Sequence, residues 1–444
     1  MMNTSTPFNP PSQCSQGDRN DTPEWVINGK VQEAKFCSFF LSRHPMICVE
    51  DQFYTVEGRV TDEAKIRQTI YEELRSHCQT GLSKRISNLL ELLKLEANAP
   101  PLPLHKDRLH VANGTLFLSG RFSPQKEYCA NRLAVAYRPD AGVPNRWLCF
   151  LDQLLYPEDI PTLQEYMGYC FLPTTKAQKM LFLTGKGGEG KSRIGLVMRS
   201  LLGQNMNVGS IAKVELSPFA RADLEHQLLM VDDDLKLEAL PQTNNIKSIV
   251  TAEMPMDLER KGRQSYQGLL YARFLAFGNG TMKSLYDRSD GFYRRQLILT
   301  VRERDPKRKD DPFLSEKLRR ESEGIFLWCL DGLRRLIAND YHFTISLRSR
   351  ANMTEAVRDG NNAVEFMEST GYIELHADRE ITSRELYSIY ERWCMDNVYK
   401  PLSPRSFSTF LVHNERTYNL EHTNTVRNAE GKRVRGFVGI CAAT

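Results

Sequence analysis

MLFLTGKGGEGKS, residues 180–192, runs from an apolar, strand-like stretch into a segment with glycine at 185, 187, 188 and 190. IGLVMRSLL follows at 194–202 with the apolar spacing of a helix. Gly185, Gly190, Lys191 and Ser192 fit the pattern G-x-x-x-x-G-K-[ST]. Between a strand and a helix, such glycines let backbone N–H groups turn inward. The helix N-terminus adds positive potential suited to phosphates. The expected cofactors are ATP and Mg²⁺. The expected contacts are Gly185, Gly187, Gly188, Glu189, Gly190, Lys191, Ser192 and Arg193. Lys191 is expected to reach the β- and γ-phosphates, and Ser192 to bind the metal. Glu189, an acidic residue so near phosphates, is expected to point its side chain to solvent.

Working outward, residues 178–300 alternate apolar strands (MLFLT, QLLMV, RFLAF, RQLIL) with polar or helical stretches, the pattern of an α/β domain with a parallel sheet. LLMVDDD at 228–234 puts Asp232 and Asp233 at the C-terminal end of an apolar strand, where open α/β sheets bind ligands. One carboxylate would hold Mg²⁺ through water, a role given to Asp232, and the next, Asp233, would orient or deprotonate the attacking water. Asp234 takes one role if the register is shifted by one. RFLAFGN ends at Asn279, whose amide is placed to bond the γ-phosphate or the water.

The remaining composition sets bounds. Hydrophobic residues make up 41% and charged residues 26% of the 444, which excludes wholesale disorder. A formal net charge of +4 excludes a bulk polycation, so nucleic-acid affinity must come from local patches. Ten scattered cysteines with no C-x-x-C pair argue against a zinc ribbon and fit free thiols in a reducing cytoplasm. The N-terminus carries no signal-peptide pattern and no apolar run is long enough to span a membrane, so no membrane partner is expected. Residues 1–24 read as a flexible tail, 25–165 as a mainly helical N-terminal domain, and 166–345 as the nucleotide-binding domain. Residues 346–369 read as a linker and 370–444 as a C-terminal domain. Within that last segment, TSRELYSIYERWCMDN (382–397) is an amphipathic helix. A second helix starts at Ser403-Pro404, and a hairpin turns near Glu430-Gly431. Helix, helix, hairpin is a winged-helix order, and Arg405, Lys432 and Arg433 are its candidate DNA contacts; a protein-docking role stays open for it.

The order GKGGEGKS, LLMVDDD, KSIVTAEMPMDLERKG, RFLAFGN, DRSDGFYRRQLIL resembles the superfamily-3 helicases of viruses, phages and plasmids. It is most similar to the helicase half of the poxvirus- and phage-type primase–helicases. HVANGTLFL and LQEYMGYCFLPTTKAQ look like that family's preceding helical domain. The resemblance implies a multidomain α/β chain with an AAA+-like core that forms a homohexameric ring around single-stranded DNA, active at forked duplexes. It also implies 3′→5′ movement. A separate primase is the expected partner, since residues 1–109 are too few for a priming domain. A β-hairpin at 255–271 would carry Arg260, Lys261 and Arg263 into the channel. DRSDGFYRRQLIL offers Arg288, Arg294 and Arg295. The family pattern places the arginine that stabilises a neighbouring subunit's γ-phosphate just before the strand, at Arg294 or Arg295. KGGEGKS also fits the partition ATPases, but those carry the loop on their first strand. The expected function is ATP-dependent DNA unwinding in the replication of a phage or mobile element, in the cytoplasm of a bacterial host. The alternative is an ATP-switched, DNA-binding initiator that does not unwind.

Overall fold

Four apolar segments alternate in a way that needs cover on both faces, and the computed structural model supplies it and adds a short fifth strand, Met206–Val208. The structure describes residues 23–78, 80–235, 243–252, 254–279, 290–360, 362–399 and 401–443. Strands β1 (Met180–Thr184), β2 (Met206–Val208), β3 (Leu229–Leu235), β4 (Arg273–Gly278) and β5 (Gln296–Thr300) form one sheet in the order β2-β3-β4-β1-β5. Every pairing is parallel. Successive side chains of a strand point to opposite faces. Leu181, Leu183, Leu229, Val231, Leu275, Phe277, Leu297 and Leu299 accordingly join one core, and Met180, Phe182, Met230, Phe274, Ala276 and Ile298 the other. A sheet covered on both faces is the usual state of parallel strands.

The first core is closed by helices α1 (Ile160–Tyr169), α2 (Ser192–Leu202) and α4 (Ser322–Ala338). At the crossing of α1 and α4 there is no room for a side chain. A Cβ on Gly168 would meet the Cys329 carbonyl at 2.2 Å, and one on Gly332 the Gln164 carbonyl at 2.5 Å. The second core is closed by α3 (Ile211–Leu216), by the helix Asn244–Thr251 and by Ala356 of α5 (Leu347–Gly360). The stretch 346–369, whose first part reads from sequence as a polar helix or linker, holds the helices Leu347–Gly360 and Asn362–Glu368. Ser349 Oγ and Asn352 Nδ2 donate to the Ile298 carbonyl at 3.1 and 3.2 Å, so α5 lies along β5. Its apolar residues are few, which is why hydrophobic spacing alone reads it as a connector.

The chain divides into two compact units, up to Pro103 and from Leu104. Among its described residues the first holds three helices, Glu33–Arg43, Glu63–Leu74 and Leu82–Glu96, around Trp25, Phe36, Phe40, Ile70 and Leu89. Residues 104–165, grouped by sequence with the N-terminal domain, carry Leu109, Leu116, Trp147 and Leu151 into the same core as the sheet. Their hairpin turns at Ala112-Asn113, between Arg108–Val111 and Gly114–Phe117, one residue before the Asn113-Gly114 signal. Near the C-terminus, α6 (Ser383–Asp396) starts with a Thr382–Glu385 capping box, and α7 (Pro404–His413) with Ser403 as N-cap. The hairpin Glu421–Arg427/Arg433–Ala442 follows. A strand that the sequence pattern does not announce, Ile373–Thr382, pairs with Arg433–Ala442. It is an edge strand with mostly exposed residues, so it lacks an apolar alternation. Trp393 is buried in the core of this segment. The cysteines described are free thiols. No helix among the described residues is long and apolar enough to cross a membrane.

Candidate active site

The order of the sheet reverses at β1. The chain leaves β1 for the edge strand β2, returns through β3 and β4 to β1's side, and then places β5 on β1's other edge. Ligands of open α/β sheets bind beyond the C-terminal strand ends at such a point. The loop 185–191 lies there, between β1 and α2. Gly187, Gly188 and Gly190 have φ of 110°, 79° and 107°, a backbone region that favours glycine. Gly185 N–H bonds the Gly278 carbonyl at 3.1 Å, fixing the loop's start to the end of β4.

Inside the loop the charges are paired. Lys191 Nζ donates to Glu189 Oε2 at 2.8 Å, and Gly187 N–H donates to Oε1 at 2.8 Å. Glu189 is 3% and Lys191 8% exposed. The carboxylate therefore lies inward, against the expectation that it faces solvent. The reason is local: the positive-φ glycines fold residue 189 back over Gly187. Burial pushes the Glu189 carboxyl up, but the Lys191 ammonium and the N–H groups of Glu189 and Gly187 outweigh it and hold the group below the usual glutamate range. Gly185 has to be glycine here, because a Cβ would come within 2.4 Å of Val301 and 2.8 Å of Glu189 Oε1. Ser192 begins α2 and is exposed. Arg193 bonds Ser315 Oγ through its guanidinium, away from the loop backbone.

The other expected residues are distributed around this loop. Asn279 is exposed at the end of β4, and a Cβ on Gly187 would lie 4.0 Å from its Oδ1, so it is a neighbour of the loop. Asp232 is 5% exposed, and its Oδ2 accepts from Ile211 N–H at 2.8 Å, at the start of α3. Burial pushes its carboxyl up, partly offset by bonds from the Ile211 and Asp234 N–H groups. Asp233 and Asp234 are exposed. The β3–β4 register shifts between Asp232 and Leu235, and an extra residue of this kind re-aims the side chains it carries. Asp232 is thus engaged by α3, while Asp233 and Asp234 stand open at the strand end.

Arg294 and Arg295 lie at the opposite end of the sheet. The Arg295 carbonyl accepts from Met180 N–H at 2.9 Å, at the start of β1. A strand advances ~3.3 Å per residue, so the loop at Gly185 is about 16 Å away. Arg294 is exposed, and Arg295 turns its guanidinium onto the Gly291 carbonyl. Arg288 lies outside the described residues.

The hairpin Met256–Leu258/Tyr266–Gly268 carries Arg260, Lys261 and Arg263 on an exposed tip, with Gly262 at φ 74°. Arg260 forms an ion pair with Glu225 and lies over the Tyr266 ring at 5.8 Å. Tyr266 OH donates to the same carboxylate at 2.6 Å, and burial with that carboxylate pushes the phenol up to about 12. Arg260 thus braces the hairpin through Glu225 and the Tyr266 ring, and Lys261 is exposed at its tip. Arg405, Lys432 and Arg433 are exposed on the C-terminal segment.

Sequence reasoning missed one element of the site. RERDPKRKDD at 302–311 reads as a charged run, yet it packs on the loop. Arg308 donates to the Glu189 carbonyl at 3.0 Å and to the Gly188 carbonyl at 3.4 Å, and Lys186 pairs with Glu303. Arg304 lies beside Gly188 and pairs with Asp310 at 3.1 Å. The signal was topological: because β5 runs parallel to β1, the chain leaving β5 emerges at the loop's end of the sheet.

Residues 183–295, from the end of β1 to the two arginines, match a family of unknown function (DUF5906). Three solved structures of the NrS-1 C-terminal region, all apo forms, are similar in fold over 91–92% of this chain. One is 11% identical with a TM-score of 0.55, covering 92% of this chain and 100% of that one. The two A-form structures are 12% identical, with TM-scores of 0.51 and 0.50, and cover 92% and 91% of this chain and 99% and 98% of theirs. At such identity the likeness is one of fold.

Proposed function

We propose that this chain is an ATP- and Mg²⁺-dependent DNA helicase of the superfamily-3 type, working as a homohexameric ring in the replication of a phage or mobile element. The observation that carries the reading is the glycine loop between the interior strand β1 and α2. It offers Lys191, inward N–H groups and a helix N-terminus at the switch point of a parallel sheet. An anionic side chain already sits on Lys191 and Gly187 N–H, so the donor set suits an anion. Lys191 and the loop N–H groups would bind the phosphates. Ser192 with Asp232 or its open neighbours would hold Mg²⁺, which would supply charge neutralisation at the transferred group. Asp233 would take the proton of the attacking water and Asn279 would orient it. Asp232, whose Oδ2 is bonded to Ile211 N–H, would hold the metal through water.

Arg294 would serve the neighbouring subunit, since its own loop is at the far end of the strand. Lys261 and Arg263 would grip single-stranded DNA in the channel. Helices α6 and α7 with the hairpin after them would form a winged helix that binds DNA through Arg405, Lys432 and Arg433. In this reading the tail 1–24 and the segment 25–165 precede an ATPase domain at 166–345. A separate primase supplies primers, and the setting is the cytoplasm of a bacterial host. Strand displacement on a forked duplex with ATP and Mg²⁺ tests the proposal. ATP turnover without strand separation would support instead a DNA-binding initiator switched by ATP.

A further inference from the structure

The glycine loop already contains an anion. Glu189 takes one bond from Gly187 N–H and one from Lys191 Nζ, both at 2.8 Å. A backbone N–H of a glycine nest and the loop lysine are the two kinds of donor a bound phosphate uses. The carboxylate fills the space under Gly185, where a Cβ would come within 2.8 Å of Oε1. From outside, Arg308 holds the carbonyls of Gly188 and Glu189, which keeps those peptides' oxygens turned toward the 302–311 segment. The loop is therefore organised around a carboxylate rather than collapsed.

We propose that Glu189 is an internal competitor for the phosphate site: its carboxylate holds Lys191 and Gly187 N–H when no nucleotide is bound and leaves them when a phosphate enters. This deepens the nucleotide-binding reading and rests on it. Residue 189 thereby sets the affinity of the site for nucleoside triphosphates and for any polyphosphate that uses the same two donors. Lys191 has three N–H donors, but Gly187 has one and Glu189 takes it, so a phosphate that uses both groups requires the carboxylate to leave first. When the competent state is a minor one, apparent affinity falls by the fraction populated. A loop open about one-tenth of the time weakens binding roughly tenfold.

The test uses the full chain, with a fluorescent ATP analogue and inorganic pyrophosphate as probes. Glu189→Gln keeps the shape and removes the charge. It is expected to bind both probes roughly tenfold more tightly than wild type. Glu189→Asp is too short to span both donors and keeps the charge; it is expected to fall between, and it serves if the glutamine variant does not fold. A readout without ligand is the acylation rate of Lys191 followed by mass spectrometry, which rises when the carboxylate no longer holds the amine. Equal or weaker binding by a folded Glu189→Gln variant, while wild type binds ATP, overturns the competitor and leaves the nucleotide reading standing. If neither wild type nor variant binds ATP analogue or pyrophosphate, the nucleotide reading falls and the competitor with it.

Discussion

In the 185–192 loop, Lys191 is 8% exposed and its ammonium is held by a carboxylate two residues away. At the tip of the 256–268 hairpin, Lys261 is exposed beside a glycine of similar positive φ, and the local carboxylate, Glu225, is taken by Arg260. Both sites set a lysine beside glycine and hold a glutamate in an ion pair. The difference lies in what the carboxylate neutralises. In the loop it pairs with the lysine itself, the cation that the proposed function assigns to phosphate. In the hairpin it pairs with the bracing arginine, and the lysine that the proposed function assigns to DNA is left exposed. In the proposed function the first would be an enclosed site for a small polyanion and the second an open grip on a long one, both built around a glycine, a lysine and a glutamate. Single substitutions on either side can break that contrast.

The largest effect is expected at Lys191. Lys191→Ala should abolish ATP hydrolysis, measured by phosphate release, while the chain still folds. It should also lower thermal stability, because Glu189 Oε2 loses its partner inside the loop. Leaving a buried acceptor unpaired costs about 1–3 kcal/mol. The double variant Lys191→Ala with Glu189→Gln should recover most of that loss and none of the activity. A Lys191→Ala protein as stable as wild type would mean that the pair is not closed in solution.

Part of this is legible in the sequence and part is not. The strand–glycine–helix order of 180–202 is a local pattern, and so are the alternations that place Leu181 and Leu183 on one face and Phe182 on the other. The direction of the Glu189 side chain depends on how three glycine φ angles turn the chain, which spacing does not encode. The partner of Arg260 lies 35 residues upstream at Glu225, with nothing in between to announce it. The segment 302–311 looks like a solvated charge run because its role arises from the parallel pairing of β5 with β1. Periodicity reports faces of strands and helices, and it is silent on which loops the topology brings together.

Next in size are the arginines. Arg294→Ala should reduce hydrolysis by about 10³-fold or more, the usual worth of an arginine supplied in trans. Mixing it with Lys191→Ala protein should restore activity, since one interface then has a sound lysine and a sound arginine. Arg295→Ala should act mainly on stability, because that guanidinium is used on the Gly291 carbonyl. No rescue at any mixing ratio would break the trans assignment that the length of β1 between Arg294 and its own loop suggests.

Asp233→Asn should slow hydrolysis by about 10²–10⁴-fold with nucleotide binding retained, the span typical of a lost general base. Asp232→Asn should be milder, because an amide oxygen can still accept from Ile211 N–H. The reverse order of severity would return the base to Asp232. The enclosed pair also carries a pH signature. The Glu189 carboxyl sits below its ordinary value of 4.5 in the folded chain, so its contribution is complete above that value. The contribution is lost as pH falls through the depressed value. Thermal unfolding followed on the acid side of 4.5 should decline more gently in Glu189→Gln than in wild type.

The smallest effects belong to the open turn, and there the sign is more informative than the size. Lys261→Ala removes one phosphate contact per subunit and leaves the nucleotide loop alone. Basal ATPase should survive, while unwinding and DNA-stimulated turnover fall together. On single-stranded DNA each lost phosphate contact lowers the slope of log K against log salt by ~0.7. Glu225→Gln makes the opposite change: it releases Arg260 from its ion pair without altering the hairpin's own sequence. If the released guanidinium reaches DNA, the same slope rises by ~0.7. If Arg260 is needed only to brace the hairpin, through Glu225 and the Tyr266 ring, unwinding falls instead and the slope stays where it was. Either result distinguishes a brace from a grip at Arg260. An unchanged slope in both variants would show that this hairpin does not touch DNA, and the contrast with the closed loop would then be one of exposure without function.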